Sequence, residues 1–332
     1  MNRVLITGAN GLVGSAATRR FVDAGYNVSA LCRANSDLSL LKDIADKISI
    51  IEGDILDIHS LENALENKDF VVHTAALVSF AAKDRNQMFK VNVEGTANLV
   101  NICLEKKIKK LCHVSSIAAL GRTTAASENV FGGIIDENQK WEDSPLNSNY
   151  AKSKYEAELE VWRGEAEGLN VVVVNPSIIL GEGDWHKSST KLFKYVYDQN
   201  KYYTNGNLNY VDVKDVIEGI FRLTTSEIKG ERFILNGGTI TYKEFFEKIA
   251  RVFNKKPPTS TLSPLMVEIL WRLESIRAFF TKKSPLITKE TAKNSRTKFA
   301  YKNDKIRKTI GFEFTKLDDT IFRVCSFLQK GI

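Results

Sequence analysis

A chain of 332 residues, 43% hydrophobic and 26% charged, has the proportions of a globular protein with a sizeable core, which excludes a disordered or fibrous class. Its net charge of +7 is lopsided: residues 243–332 hold 20 Lys and Arg against 9 Asp and Glu, the first 242 residues 27 against 31. No nucleic-acid-binding signature accompanies the basic C-terminal part, so those lysines are read as solvated helix faces and no nucleic-acid partner is expected.

The N-terminal "MNRVLITGAN" has no apolar run with a small-residue cleavage site, so no signal peptide is expected. The first strand, "RVLIT" (3–7), leads directly into "TGANGLVG", which opens a helix. Gly8, Gly11 and Gly14 let the backbone turn tightly and approach a pyrophosphate, while the helix N-terminus offers free N–H groups and a positive dipole end.

The second strand, "NVSALC" (27–32), ends in "ALCRANSD" and so places Leu31, Cys32 and Arg33 beside an adenosine ribose. An acidic residue there takes both ribose hydroxyls and repels a 2′-phosphate, whereas a guanidinium binds phosphate through paired N–H groups. Arg33 therefore argues for NADP(H), with Ser36 as a further hydroxyl contact and Asp37 too far along to restore NAD. NAD stays an alternative, because the glycine turn carries no second arginine to complete a phosphate clamp.

Four further runs, "ISIIE" (48–52), "FVVHTAA" (70–76), "KLCHVSS" (110–116) and "NVVVVNP" (170–176), alternate with helical spacing such as that of Met88, Val91, Leu99 and Ile102. Strands this continuously apolar are buried on both faces, which predicts an α/β fold with a doubly wound parallel (Rossmann) sheet. At the carboxyl end of the fifth strand, "HVSSIAALG" offers Ser115 and Ser116, 35 and 34 residues before Tyr150. One such hydroxyl can hydrogen-bond a substrate oxygen as charge develops on it. In "NSNYAKSKYEAE", Tyr150 and Lys154 fall four apart on one helix face. A phenol with a pKa near 10 shuttles protons poorly at neutrality; lowering it by about three units needs about 4 kcal/mol, which a nearby ammonium helps to supply.

Beyond Pro176 the rhythm breaks, leaving one helix near residues 190–200, a helix–strand pair over 213–235, and a mostly helical remainder with Pro257 and Pro258 after a helix at 242–253. The expected division is a dinucleotide-binding domain over 1–180, to which 209–235 return, and a smaller, mostly helical substrate domain from 181–208 and 236–332. The stretch Leu262 to Phe280 contains Glu268, Arg272, Glu274 and Arg277 and is not a membrane span. Its stripe of Leu265, Met266, Ile269, Leu270, Leu273, Ile276 and Phe280 is read first as a packing face and second as a lid or membrane-surface contact. Cys32, Cys103, Cys112 and Cys325 form no CxxC pair and, with four scattered histidines, no metal spacing; a reducing cytoplasm is expected.

The motifs "TGANGLVG", "GDILD", "HTAA", "VNVEGT", "VSSIAALG", "YAKSK" and "VNPSIILGEGD" occur in one order along nearly the whole chain. In this it resembles the extended short-chain dehydrogenase/reductase family, which includes NAD-dependent epimerases and dehydratases, and most of all the dihydroflavonol reductase-like and hydroxysteroid dehydrogenase-like branch. The resemblance implies Tyr150 as catalytic acid/base, Lys154 on the nicotinamide ribose and Ser116 on the substrate oxygen. It also implies cofactor contacts from Gly8, Asn10, Gly11, Leu12, Val13 and Gly14 in the turn, from Asp54 and Ile55 at the adenine, and from Ala75 and Ala76 along the cofactor backbone. Asn92 would brace the active-site helix, directly or through water, and Pro176, Ser177 and Ile179 would pack near the nicotinamide. A homodimer through the helices of the Asn92 and Tyr150 regions is a further implication.

Family dehydratases carry an Asp-Glu pair after the active-site hydroxyl residue; here Ile117 and Ala118 cannot move protons. Sugar-nucleotide epimerases show Tyr-Gly where this chain has Leu120 and Gly121, and need cations for a diphosphate, for which Arg122, Lys187, Lys191 and Lys194 are candidates. The aromatic run Trp185, Phe193, Tyr195, Tyr197, Tyr202 and Tyr203 favours a more apolar small molecule, with several of these rings expected simply to fill the core. Hydride transfer on a carbonyl or alcohol is the leading expectation. Epimerisation of a sugar nucleotide, and a non-catalytic dinucleotide-sensing or RNA-binding protein, are the alternatives, the last disfavoured by the presence of Tyr150 and Lys154.

Overall fold

Strands that are apolar on both faces must be covered twice, and the chain covers them with helices on either side. The computed structural model describes residues 2–122, 133–185, 189–263, 266–269, 271–272 and 298–330. Its main sheet takes β1 (Arg3–Thr7), β2 (Asn27–Cys32), β3 (Ile48–Glu52), β4 (Phe70–His73) and β5 (Lys110–Val114). After a short β6 (Ile134–Ile135), β7 (Val171–Pro176) and, following three further strands, β11 (Glu231–Leu235) complete it. The order is β11-β7-β5-β4-β1-β2-β3 with every pairing parallel. The order in which strands are added reverses between β1 and β4, and a crevice opens there at the carboxyl ends.

The period of two sorts the strand residues. Val4, Ile6, Val172 and Val174 face one core with Phe21, Val216, Ile220 and Phe233, under α1 (Leu12–Asp23) and α7 (Val213–Thr225). Leu5, Leu111, Val171 and Val173 face the other, under α2 (Ile58–Ala64), α4 (Gly95–Glu105) and α5 (Asn149–Ala166). A short α3 (Arg85–Phe89) runs through a π-helical turn at Lys90–Glu94 into α4. The doubly wound fold is as expected, but β4 and β5 stop at His73 and Val114, so residues 74–76 and 115–116 belong to the loops that border the crevice.

The remainder is less purely helical than expected. β8 (Ile178–Leu180), β10 (Asn207–Asp212) and β12 (Gly238–Thr241) form their own sheet, while β9 (Tyr202–Tyr203) pairs with β13 (Ser260–Thr261) and β6 with β14 (Ala300–Tyr301). β10, the start of the segment expected to return to the dinucleotide-binding domain, thus pairs in the small sheet, while α7 packs on the main sheet and β11 joins it. Around the small sheet pack α6 (Thr190–Tyr197), α8 (Tyr242–Phe253) and the C-terminal α10 (Leu317–Lys330), with α9 (Asp304–Ile310) against β11. α8 begins at a capping box of Thr241 and Glu244 and ends where Asn254 turns left-handed, φ 53°.

Phe193 and Val196 are buried in this second core, with Trp185, Tyr195, Tyr197 and Tyr203 packed against it. Of the expected apolar stripe, Leu265, Leu270, Leu273, Ile276 and Phe280 lie outside the described residues; Met266 and Ile269 are exposed, and Val267 between them is buried. No helix among the described residues is long and apolar enough to cross a membrane. All four cysteines are buried and free.

The C-terminal helix is held by charge. Arg323 pairs with Glu182 and with Asp212, whose buried carboxylate also accepts from Thr320 Oγ1 at 2.6 Å and from Lys214 N at 2.8 Å. Removing one partner of a buried pair strands the other charge. Arg323→Met is therefore expected to lower the unfolding free energy by about 3 kcal/mol, read from urea denaturation; an unchanged midpoint would show that Asp212 is satisfied without it.

Candidate active site

The glycine turn is dictated by close approach. Gly8 has φ 65°, and a Cβ on it would lie 2.7 Å from Ala75 Cα; one on Gly14 would lie 2.2 Å from the Gly8 carbonyl oxygen. Backbone thus touches backbone, and α1 starts at Gly11 with no side-chain cap on its N–H groups, an arrangement suited to phosphate. The adjoining cleft, about 320 Å³, is lined by the expected Gly8, Asn10, Gly11, Arg33, Asp54, Ile55, Ala75 and Ala76. Leu31 and Cys32 line it too, as do Gly53, Thr74, Leu77, Gln87 and Val91, which the motifs did not single out. The Leu12 and Val13 side chains pack against the core beneath α1.

At the ribose end Arg33 is exposed at the mouth of the cleft. A turn closed by Ser36 N donating to Arg33 O at 3.1 Å, with Asn35 left-handed at φ 56°, sets its backbone. The Asp37 carboxylate accepts from Ser39 N at 2.9 Å and so serves the next turn. Asp54 Oδ1 likewise accepts from Leu56 N at 2.9 Å, fixing the adenine-side loop.

A hydrogen-bond chain runs from this cleft to the presumptive active-site helix. Ala75 N donates to Thr7 Oγ1 (3.3 Å), and Thr7 Oγ1 meets His73 Nδ1 (2.7 Å). On the other side of the ring, His73 Nε2 meets Thr96 Oγ1 (3.0 Å), whose proton goes to the Asn92 carbonyl (2.6 Å). Since Thr96 is committed as a donor there, His73 carries its proton on Nε2 and accepts at Nδ1. Burial holds His73 neutral, its pKa down at about 3. The side chain of Asn92 then clamps Leu77 through both N–H and C=O (2.7 and 3.0 Å) and donates to Ser153 Oγ (3.0 Å), which donates to the Tyr150 carbonyl (2.9 Å). Asn92 braces the helix directly, without an intervening water.

α5 is capped by Ser148, whose side chain accepts from Ala151 N, and this sets Tyr150 in the first turn. Ser116 Oγ accepts from Ala118 N at 3.2 Å, and its hydroxyl lies beside the Tyr150 phenol. Burial raises the Tyr150 pKa and the neighbouring Ser116 hydroxyl opposes this. One turn on, Lys154 is only 2% exposed; its ammonium donates to the Val114 carbonyl at 3.0 Å and faces His113 Nε2 at 3.5 Å. Burial pulls its pKa down to about 8, against the pull of Glu158. Of the two serines, Ser115 is buried with no bonded partner for its hydroxyl, and Ser116 is the one brought to Tyr150.

The Phe80 ring stands edge-on to that of Tyr150, centroids 5.7 Å apart. Pro176 ends β7 next to Ser177, whose N–H donates to the Leu235 carbonyl at 3.0 Å, and Ile179 pairs with Val211 in the small sheet. The aromatic run expected to line a substrate site mostly fills the second core instead: Trp185 Nε1 donates to Leu328 O (3.2 Å) and the Tyr195 hydroxyl to Tyr202 O (2.8 Å). Among the cations considered for a diphosphate, Lys194 pairs with Asp198 at 2.7 Å, and Arg122 lies over the Phe299 ring at 5.3 Å with Nε 3.4 Å from the Tyr301 hydroxyl. Lys187 lies outside the described residues.

A glycine turn against β4, a cleft at the sheet's switch point and a Ser-Tyr-Lys group beside it decide the relationship. Residues 4–236 match the NAD dependent epimerase/dehydratase family. The chain belongs to that family. Among its relatives are sterol demethylase protein B of Methylococcus capsulatus, 27% identical over 85% of this chain and 84% of that protein. Cinnamoyl-CoA reductase 1 of Petunia hybrida is 26% identical, covering 98% and 92%. The crystal structure of gox2253 superposes with a TM-score of 0.83 at 28% identity, covering 100% and 99%. The dinucleotide this family depends on suits the cleft, because the α1 N-terminus at Gly11 carries no side-chain cap and its N–H groups are left for phosphate.

Lys154 gives a pH dependence. Its ammonium is present below a pKa of about 8 and is lost above it, so NADH affinity is expected to be flat below about pH 8 and to weaken by up to about tenfold per unit above it. Fluorescence titrations with Lys154→Met as the pH-independent control measure this; a flat wild-type profile to about pH 9.5 contradicts it.

Proposed function

We propose that the protein is an NAD(P)-dependent oxidoreductase that transfers hydride between nicotinamide and a carbonyl or alcohol carbon, with Tyr150 as acid/base. The carrying observation is that Tyr150 and Lys154 stand one turn apart on one face of α5, with the Ser116 hydroxyl beside the phenol and the Lys154 ammonium buried behind it. A bound nicotinamide supplies the hydride in the reductive direction. In that direction Ser116 Oγ–H donates to the substrate carbonyl oxygen as negative charge grows there. The Tyr150 O–H bond breaks as its proton passes to that oxygen, and the phenolate left behind is stabilised by the Lys154 ammonium. Ile117 and Ala118, which follow Ser116, carry no proton for elimination of water.

For the cofactor, Arg33 at the cleft mouth, with Asp37 turned to its own backbone, supports NADP(H). For the substrate, relatives named for sterol and cinnamoyl-CoA chemistry and the Phe80 ring against Tyr150 support a carbonyl or alcohol on an apolar body. The second core and small sheet are assigned to substrate binding. Leu159, 47% exposed on the outer face of α5, supports a homodimer formed through α4 and α5.

Tyr150→Phe is expected to lower kcat by about 10³-fold while NADPH affinity stays within about twofold; a fully active variant would sink the assignment. The assay is cofactor consumption against carbonyls, alcohols and sugar nucleotides, and turnover of a sugar nucleotide without net cofactor consumption would replace this reading with epimerisation. Arg33→Asp should weaken NADPH binding by about 10- to 100-fold and leave NADH nearly unaffected, as seen by calorimetry. Equal losses for both would show that Arg33 does not read the 2′-phosphate.

A further inference from the structure

The face of α5 that carries Tyr150 and Lys154 continues, one turn further, to Glu158. This carboxylate is fully buried, and a carboxylate taken out of water needs partners or it takes up a proton. Two are provided. Arg232 of β11 places Nη2 2.8 Å from Oε2 and lays its guanidinium over the Trp162 ring of the same helix, 5.5 Å away. Asn175 of β7 donates from Nδ2 to Oε1 at 2.6 Å. The same amide donates its other hydrogen to the backbone carbonyl of Ser116 at 2.9 Å. Three neighbouring strand segments are therefore tied to one side chain: Arg232 within β11, Asn175 near the end of β7, and Ser116 just beyond β5.

We infer that Glu158, Asn175 and Arg232 are positioning residues, which fix the backbone of Ser116 and with it the hydroxyl that faces Tyr150. None of them touches the reacting atoms. An ion pair with a purely architectural role involves Glu158 and Arg232 alone; the bond from Asn175 to the Ser116 carbonyl is what joins the pair to the reaction centre. The turn that follows depends on it in turn, since Ala118 N donates to Ser116 Oγ at 3.2 Å and Ala119 N to Ser116 O at 3.0 Å. The consequence for turnover rests on the oxidoreductase reading above, while the restraint on Ser116 does not.

The test compares Asn175→Ala with the double exchange Glu158→Gln and Asn175→Asp in the full chain. The exchange keeps both volumes and re-forms an amide–carboxylate bond with its polarity reversed, but a carboxylate at position 175 cannot donate to the Ser116 carbonyl. Asn175→Ala is expected to speed hydrogen–deuterium exchange at Ala118 and Ala119 by about tenfold or more. It should also lower kcat for trans-cinnamaldehyde, used as the probe carbonyl with NADPH, by about 100-fold, with the NADPH dissociation constant within about twofold of wild type. The double exchange should recover the melting temperature lost in either single change and recover neither kcat nor amide protection. Wild-type protection at Ala118 and Ala119 in Asn175→Ala, or kcat restored by the double exchange, overturns the proposal. Should the truncation fail to fold, the exchange against wild type gives the same two readings. A wild-type protein that reduces no carbonyl removes the oxidoreductase reading alone, because amide exchange still decides whether Asn175 holds Ser116.

Discussion

One helix face has to bury an ammonium and a carboxylate against an apolar sheet, and the active edge of the molecule is arranged around that constraint. Lys154 and Glu158 stand one turn apart on α5 and are both almost completely out of water. Taking a charge from water into a protein interior costs several kcal/mol unless hydrogen bonds and opposite charge replace the lost hydration. The compensating groups must come from the strands beneath, and they do: the Val114 carbonyl and His113 from β5 for Lys154, Asn175 from β7 and Arg232 from β11 for Glu158. Each compensation also places something the chemistry uses, because Val114 and Asn175 lie next to, or are bonded to, the segment that carries Ser116.

The cofactor side obeys a different constraint, the contact of backbone with backbone. Gly8 and Ala75 approach so closely that no Cβ fits on Gly8, and this brings β1 and β4 together at the sheet's switch point. The chain of bonds through Thr7, His73, Thr96, Asn92 and Ser153 then ties that contact to the carbonyl of Tyr150. A neutral histidine suits the middle of the chain, since it accepts on one side and donates on the other. Cleft and catalytic helix are thus parts of one hydrogen-bonded unit, and the π-helical turn at Lys90–Glu94 is where Asn92 leaves the regular ladder to join it.

Much of this was legible before any coordinates. The rhythm of apolar runs announced the parallel sheet, the glycines after residue 7 announced the cofactor turn, and Tyr150 with Lys154 pointed to the proposed acid/base pair, because each signal is local and repeats at the period of its own element. Ser116 was preferred over Ser115 by the motif resemblance, and in the structure its hydroxyl is the one beside Tyr150. Glu158 sat in view at helical spacing from Lys154, yet a charged residue on a helix normally faces solvent, and nothing nearby in sequence names Asn175 or Arg232 as its partners. Gln87 at the cleft was invisible for a similar reason: it comes from the far side of the β4 connection and carries no motif.

The aromatic run between residues 185 and 203 could be read both ways. Aromatic side chains are the right material both for a ligand wall and for a core, and composition cannot separate the two; here most of them close the core between the small sheet and α8 and α10. The short strands β8, β10 and β12 were hidden because their alternation is too brief and too mixed with polar residues to register as a period. By itself the sequence determined the sheet, the dinucleotide turn and the placing of Tyr150 and Lys154 on one helix face, since hydrophobic periodicity, left-handed glycine conformation and helical spacing are properties of contiguous residues. Tertiary structure alone decided which buried charges meet, which serine reaches the tyrosine and what lies against them, because those contacts join residues up to more than a hundred positions apart and depend on the register in which strands and helices pack.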